Sequence, residues 1–223
     1  MSTINRIRSS VKAFFKWLTE IEYCDHNPAI GIHIRRHTRK PPVFLIDIEK
    51  QKLLKTIRAH KGWRSNRDLM MVKLFLNTGI RLSELVNLNL DTVNLIEKRI
   101  TIQAKGGRIV TRFLNAKVRS ALSRYLKGRL KVITDSEALF ISQRLHRITT
   151  RQVQRRLEMW ISKAGINKRV TPHVLRHSFA TMLYAKSSNI LAVQHALGHS
   201  TLSTTTVYAH LLDETLEDAM EAL

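Results

Sequence analysis

The chain carries a set of arginine, histidine and tyrosine residues whose types suit chemistry on a phosphodiester. Arg81 lies in the segment TGIRLSEL, His173 and Arg176 are three positions apart, and Tyr208 follows His199 by nine positions. A guanidinium binds phosphate oxygens as a planar fork, an imidazole can accept a proton, and a phenol oxygen can act as a nucleophile. No carboxylate cluster that could bind a metal accompanies these residues. The set therefore indicates metal-free phosphoryl transfer to a tyrosine oxygen.

The charge balance indicates a polyanionic partner. Lys and Arg number 38 against 17 Asp and Glu, which gives a formal net charge of +21 on 223 residues. Neutralising the phosphates of a nucleic acid releases condensed counterions, so such an excess favours nucleic-acid binding. Charge alone is equally consistent with a ribosomal or merely basic protein. Combined with the residues above, it favours the cutting and rejoining of DNA.

Composition also limits the class of protein. Apolar residues make up 43% of the chain, enough to bury a sizeable core in one large or two smaller domains. The single cysteine, Cys24, cannot form an internal disulfide and fits a reducing compartment. We see neither a signal-peptide apolar region in the first 30 residues nor an apolar run of bilayer-spanning length. We therefore expect a soluble cytoplasmic protein, associated with the nucleoid if DNA is its partner.

A basic run predicts the domain boundary. The segment from Arg35 to Lys40 is followed by two prolines, a pattern typical of an extended linker, so we place the boundary after residue 40. Before it, a helix is predicted over 4–18. Its apolar stripe comprises Ile7, Val11, Phe14, Phe15 and Leu18. One helix and its tail are too little for a free-standing domain.

Beyond the linker the pattern predicts helices whose ends position Arg81. Asp47 is a candidate N-cap, and Asp68 is predicted to start a core helix that is apolar on nearly all sides. That helix should stop at Gly79, which can adopt the left-handed conformation. Arg81 therefore lies at a helix junction, where it can be aimed into a cleft. Glu84 could orient Arg81 or cap a neighbour, and we favour a structural role.

The clear β signal is a hairpin over 99–103 and 108–114, around a Gly-Gly turn. Lys105 lies at its tip, and its position alone favours a solvated side chain over a functional one. Helices are predicted to follow over 117–126 and 150–164. The fold class is therefore mainly α with a small antiparallel sheet.

The sharpest local pattern is a helix that begins with Thr171 as N-cap and proline at the first helical position. His173 and Arg176 then share a face at the positive end of the helix dipole, where an anion could bind. The alternative is a capped core helix with incidental polar residues. His177 points about a quarter-turn away, and we interpret it as a packed structural histidine.

The last helix before Tyr208 is predicted over 189–197 and should end at Gly198, which places His199 in the following turn. The Ser/Thr-rich segment after it predicts a short capped helix that presents the phenol. A lone tyrosine is usually a packing residue, and only the surrounding motif favours a nucleophile here.

Four motifs in this order, TGIRLSEL, AKGG in a hairpin, TPHVLRHSFAT and LGHSTLSTTTVYAH, resemble the tyrosine recombinase (phage integrase) family, particularly its Xer-like members. The similarity covers about 45–210. It implies a catalytic domain of helices around a small sheet over 41–223, preceded by a helical core-binding domain, the pair clamping double-stranded DNA. Position by position, it implies six catalytic residues: Arg81, Lys105, His173, Arg176, His199 and Tyr208.

The resemblance implies a role for each group. The two arginines would bind the non-bridging oxygens, the electrostatic part that a metal ion plays in many phosphoryl-transfer enzymes. Tyr208 would attack phosphorus, with His173 the better candidate base, and Lys105 would protonate the 5′-hydroxyl leaving group. His199 would hydrogen-bond the phosphate. The product would be a 3′-phosphotyrosine, and we expect no cofactor and no metal.

Two segments depart from the family pattern. The core-binding domain usually contains about four helices, whereas 1–40 resembles only the latter part of that bundle and its linker. That puts independent site recognition in doubt. The segment over 211–223 is acidic and has an amphipathic stripe, Leu212, Leu216, Ala219, Met220 and Leu223. In related recombinases the C-terminal helix docks on a neighbouring subunit, in cis or trans, and folding back on its own domain is an equal alternative.

Together these features favour a site-specific DNA recombinase that assembles as a tetramer on two duplexes. Two other functions stay open. A type IB topoisomerase uses similar chemistry as a monomer on one duplex, and a DNA-binding accessory protein would not cut at all.

Overall fold

The computed structural model of the chain describes residues 3–34, 43–103, 107 and 109–198. The chain divides into two compact units, Met1–Lys40 and Pro41–Leu223. The predicted linker, the hairpin tip with Lys105, and the segment with His199 and Tyr208 lie outside the described residues. No helix in the described ranges is long and apolar enough to cross a membrane.

The first unit contains one long helix, α1 (Thr3–Glu20), which extends the helix predicted over 4–18 at both ends. Arg8 and Lys12 donate hydrogen bonds from this helix to the main-chain carbonyls of His33 and Ile32, each at 3.2 Å. These two bonds fasten the segment that follows the helix back along its side.

The apolar stripe of α1 is only partly covered. Ile7 and Phe14 are 56% and 52% exposed, and Trp17 is 52% exposed. Within the described part of this unit, Ala29 is the only buried apolar residue. The unit therefore has almost no core of its own, in line with the expectation from its size.

The second unit is mainly helical with a small antiparallel sheet, which confirms the predicted fold class. In chain order its elements are α2 (Asp47–Ala59), α3 (Trp63–Thr78), α4 (Leu82–Val86), β1 (Val93–Asn94), β2 (Arg99–Gln103), β3 (Ile109–Phe113), α5 (Ala116–Arg129), α6 (Thr150–Lys163), α7 (Pro172–Ser187) and α8 (Ile190–Leu197). The sheet order is β1-β2-β3, and the hairpin register pairs Arg99 with Phe113 and Gln103 with Ile109. The short strand β1 was not predicted, because two residues are too few to show alternation.

The core of the second unit is built around α3. This helix contacts α2, α5, α6 and α7, and its side chains Leu74 and Phe75 are at most 1% exposed. The stripe predicted for α6 is confirmed: Val153, Leu157, Ile161 and Ala164 are all buried. Burial on several sides explains why α3 is apolar around most of its circumference.

The prediction that Asp68 starts a helix is wrong. Helix α3 begins at Trp63, and Asp68 lies inside it with 1% of its surface exposed. Its carboxylate accepts hydrogen bonds from Arg67 at 2.8 and 3.0 Å, from Arg156 at 2.6 Å and from the Trp160 indole at 2.8 Å. The residue is acidic because it joins α3 to α6 through a buried charged network, and not because it caps a helix.

The other predicted helix starts agree with the structure to within one residue, whereas α1 and α5 run two and three residues beyond their predicted C-terminal ends. Ile46 and not Asp47 is the N-cap of α2, and its N–H donates to the Glu49 carboxylate at 3.0 Å. At the start of α7, the Thr171 hydroxyl accepts from the Val174 N–H, and the following proline opens the helix. The Asn189 side chain caps α8 in the same way.

Candidate active site

Gly79 ends α3 and sets the position of Arg81. It adopts the left-handed conformation with φ 59°, and a Cβ at this position would lie 2.5 Å from the Phe179 ring and 2.9 Å from Leu197. Only glycine permits both this φ and this close approach. The end of α3 is thereby packed directly against α7 and α8, and Arg81 follows as the N-cap of α4.

Glu84 fixes the Arg81 side chain. One carboxylate oxygen accepts from the Arg81 main-chain N–H at 2.8 Å, and the other accepts from Arg81 Nη1 at 2.8 Å. The Glu84 side chain is 5% exposed and that of Arg81 is 39% exposed. The sequence left two roles open for Glu84, and the structure gives it both, since the same carboxylate caps α4 and orients Arg81.

Arg176 lies in α7 and is 6% exposed. Its Nη1 donates to the Gly79 carbonyl at 2.5 Å, and its Nη2 donates to the Leu197 carbonyl at 2.8 Å. His173, one turn earlier, is exposed. His173 and Arg176 lie on the same side of α7, as predicted, but the imidazole is at the surface and the guanidinium is buried.

His177 is half-buried, which agrees with its interpretation as a packing residue. Burial lowers the pKa of its imidazole from the ordinary value of 6.5, and the positive charges of His173 and Arg176 lower it further. The neutral form of His177 is therefore the one that the fold favours.

Arg112 is a site residue that the sequence analysis did not identify. It lies in β3, its side chain is 3% exposed, and its guanidinium donates to the carbonyls of Ala196 and, at 3.0 Å, Leu197. Strand alternation was the available signal, because Arg112 shares a face with the half-buried Val110, opposite the exposed Ile109. The sequence did not reveal which face of this hairpin is covered.

Three guanidiniums meet at the C-terminal end of α8. Arg112 and Arg176 bind carbonyls of 196–197, and Arg81 Nη2 donates to the Gly198 carbonyl at 3.4 Å. The last carbonyls of a helix lack intrahelical partners and carry the negative end of its dipole, so cations stabilise this end. The structure thus brings Arg81 and Arg176 together at the residue that immediately precedes His199. The placement of Lys105, His199 and Tyr208 stays a prediction.

A separate cavity of about 570 Å³ lies among α2, α3 and α5, lined by side chains that include Trp63, Lys73, Arg124 and Tyr125. Its lining contains none of Arg81, His173 and Arg176, so it is distinct from the guanidinium site. Burial lowers the pKa of Lys73, as do the charges of Arg58 and Arg124. Within the described ranges, no group of three or more His, Cys, Asp or Glu residues could hold a metal ion.

Known proteins resemble the chain over most of its length. The model of the phage integrase family matches residues 45–215. Tyrosine recombinase XerC of Histophilus somni is 36% identical over 203 residues, which cover 91% of this chain and 68% of that protein. Tyrosine recombinase XerC of Caldanaerobacter subterraneus subsp. tengcongensis is 36% identical over 216 residues, 95% of this chain and 60% of that protein. The chain thus spans about two thirds or less of these relatives.

Among solved structures, the fold is similar to that of the XerH site-specific recombinase bound to its palindromic difH substrate in a post-cleavage complex. The TM-score is 0.82 at 26% sequence identity, and the match covers 98% of this chain and 66% of the other.

Proposed function

The chain belongs to the phage integrase family as a Xer-like tyrosine recombinase, and from this membership we propose that it cleaves and rejoins double-stranded DNA through a 3′-phosphotyrosine at Tyr208. One observation carries the proposal. Arg81 and Arg176, distant in sequence, meet at the end of α8, directly before the segment that contains His199 and the tyrosine.

The proposed reaction is an exchange of phosphate esters. The Tyr208 oxygen forms a bond to phosphorus while the bond between phosphorus and the 5′ oxygen breaks. His173 takes the phenol proton, and Lys105 gives a proton to the departing 5′ oxygen, so the charges balance. Because the phosphotyrosine keeps the energy of the ester bond, the 5′-hydroxyl of a second strand can reverse the reaction without ATP.

The arginine pair would carry the electrostatic part of the catalysis. Negative charge grows on the non-bridging oxygens in the transition state, and permanently charged guanidiniums can bind them through two parallel hydrogen bonds. Arg81 is held by Glu84, and Arg176 is held by main-chain carbonyls, before any substrate arrives. Groups fixed in this way need little reorganisation during the reaction. His199 would hydrogen-bond the phosphate beside them.

The whole protein would act on DNA as an assembly. We propose a tetramer on two duplexes, in which the acidic amphipathic segment 211–223 docks on a neighbouring subunit. The unit 1–40 would contribute the latter part of a helical core-binding domain, and its basic side chains would contact the DNA backbone. A protein that acts on chromosomal or mobile DNA in this way would be found at the nucleoid.

The test is covalent trapping on nicked suicide duplexes with randomised sequence, run without divalent metal and quenched in SDS. We expect a protein–DNA adduct from the wild-type chain and none from Tyr208→Phe, with salt-sensitive DNA binding nearly unchanged in the variant. A Tyr208→Phe chain that still formed the adduct would refute the nucleophile assignment.

Strand exchange between two trapped sites then separates the alternatives. A recombinase joins strands of different duplexes, whereas a type IB topoisomerase-like enzyme only relaxes a supercoiled plasmid. An accessory protein binds and forms no adduct. The names of the relatives favour the first outcome.

A further inference from the structure

Strand β3 buries its arginine and exposes its large apolar side chains. Arg112 is 4% exposed, whereas Ile109 and Phe113 in the same strand are 71% and 75% exposed. Burying a charged side chain costs free energy unless it is paired and hydrogen-bonded, and an apolar residue would be the inexpensive choice for a covered position. The arrangement therefore needs an explanation other than stability.

The partners of Arg112 are main-chain carbonyls rather than a close carboxylate. One Nη donates to the Ala196 carbonyl and the other to the Leu197 carbonyl at 3.0 Å, while Glu84 Oε2 lies at 3.8 Å. The buried Nε has no hydrogen-bond partner in the described part of the chain. Burial lowers the pKa of the guanidinium, the Glu84 charge raises it, and the Arg81 charge lowers it again. This environment is costly for a cation.

The hydrogen bonds of Arg112 hold the C-terminal end of α8 in place. A planar guanidinium that binds two consecutive carbonyls fixes the position and orientation of the last turn of the helix. The next residue, Gly198, turns the chain with φ 64°, and a Cβ there would lie 3.3 Å from Arg112 Nη2. The segment with His199 and Tyr208 starts at this point.

We propose that Arg112 is a positioning residue for DNA cleavage. By binding the last carbonyls of α8, it positions the start of the segment that carries His199 and Tyr208 relative to the phosphate bound by Arg81 and Arg176. The inference rests on the proposed function, since it presupposes Tyr208-dependent cleavage. The Glu84 carboxylate, which binds Arg81, also lies 3.8 Å from the Arg112 guanidinium, so the charge of one carboxylate acts on both arginines.

The experiment compares Arg112→Met and Arg112→Lys with a matched control, Arg129→Met. Arg129 is also a buried arginine, 5% exposed, whose guanidinium binds the main-chain carbonyls of Ser136 and Ala138. Substituting Arg129 removes a similar set of hydrogen bonds to main-chain carbonyls in another part of the unit. For each variant, the single-turnover rate of adduct formation and the DNA dissociation constant are measured at a temperature where circular dichroism shows a folded chain.

We expect Arg112→Met to slow adduct formation about a hundredfold, the effect typical of a small misplacement of reacting groups, with the dissociation constant changed less than about threefold. Arg112→Lys should be intermediate, because an ammonium cannot bind two carbonyls as a fork. Arg129→Met should form the adduct at the wild-type rate. Equal slowing in the Arg129 control, or an Arg112→Met rate equal to wild type, would overturn the inference.

A second substrate shows whether Arg112 assists attack by the nucleophile or departure of the leaving group. A bridging 5′-phosphorothiolate has a leaving group that needs no protonation, so it should restore cleavage to Lys105→Ala. It should leave Arg112→Met slow, because the defect lies with the nucleophile, and restored cleavage would refute the proposed role. If the wild-type chain forms no Tyr208-dependent adduct, the proposed function itself fails, and that outcome is distinct from either result on Arg112.

Discussion

Arg81 and Arg176 carry the same charge in different surroundings. Arg176 is nearly inaccessible and spans the ends of α3 and α8, whereas the Arg81 side chain is 39% exposed and is bound by the Glu84 carboxylate and the Gly198 carbonyl. The more exposed guanidinium can reach a ligand with little rearrangement, and the deeper one sets the geometry of the helix ends around it. Substituting Arg176 should consequently disturb both the fold and the chemistry, and substituting Arg81 mainly the chemistry.

His177 should make the stability of the protein depend on pH. Its folded-state pKa lies below the ordinary 6.5 because of burial and the nearby charges of His173 and Arg176. As the pH falls through 6.5, the unfolded chain takes up this proton first, so the free energy of unfolding decreases. We expect His177→Gln to flatten the fall in stability between about pH 7 and 5, measured by urea unfolding.

The control for this measurement is His146→Gln, because His146 is exposed. This control shows how much of any change comes merely from replacing a histidine at the surface. If His177→Gln and the wild-type chain lose stability in parallel over this range, burial of His177 is not the cause.

At the level of elements, the ends of α3, α7 and α8 meet around Gly79. Gly79→Ala should destabilise the protein by about 3 kcal/mol, because a Cβ would strain the left-handed backbone and collide with the Phe179 ring. The matched control is Gly128→Ala in α5, where a Cβ meets nothing within 4 Å. That substitution should stabilise the helix by up to about 1 kcal/mol.

Urea unfolding of both glycine variants provides the measurement. A Gly79→Ala protein as stable as Gly128→Ala would show that the junction can shift to admit a methyl group. In that case the close packing of α3 on α7 would not be what positions Arg81.

The element boundaries show where sequence reasoning succeeds. Three helix ends with a local capping residue were predicted correctly: those at Gly79, Thr171 and Gly198. A left-handed glycine or a capping hydroxyl acts within a few residues of the chain, so the sequence pattern reveals it. Asp68 was misread because its partners are on α6, and no local pattern reveals a contact at that distance in the chain. Arg112 was missed for the same reason, since its acceptors lie on α8.

On the scale of the whole molecule, the hydrophobic core lies in the second unit. The extended cluster of buried apolar side chains runs from Leu45 to Leu175, and in the described part of the first unit Ala29 is the only buried apolar residue. A fragment Pro41–Leu223 should therefore keep a single cooperative urea transition. A peptide of residues 1–40 should be largely unfolded, since an isolated helix of this length is marginal in water.

Circular dichroism of the two fragments beside the intact chain provides the check. A fragment Pro41–Leu223 without a cooperative transition would mean that the second unit needs the first in order to fold. A stably helical peptide of residues 1–40 would contradict the expectation for the first unit.

The hydrogen bonds from the three arginines to the end of α8 have a consequence for folding during synthesis. Arg81, Arg112 and Arg176 each have at least one acceptor among residues 196–198, and the bonds from Arg81 and Arg112 span 117 and 85 positions of the chain. A nascent chain folds from its N-terminal side, so the hydrogen bonds to residues 196–198 cannot form until α8 has been synthesised and has docked. We therefore expect a ribosome-bound or prematurely terminated product to have a folded core in which the three arginines are not yet fixed in place.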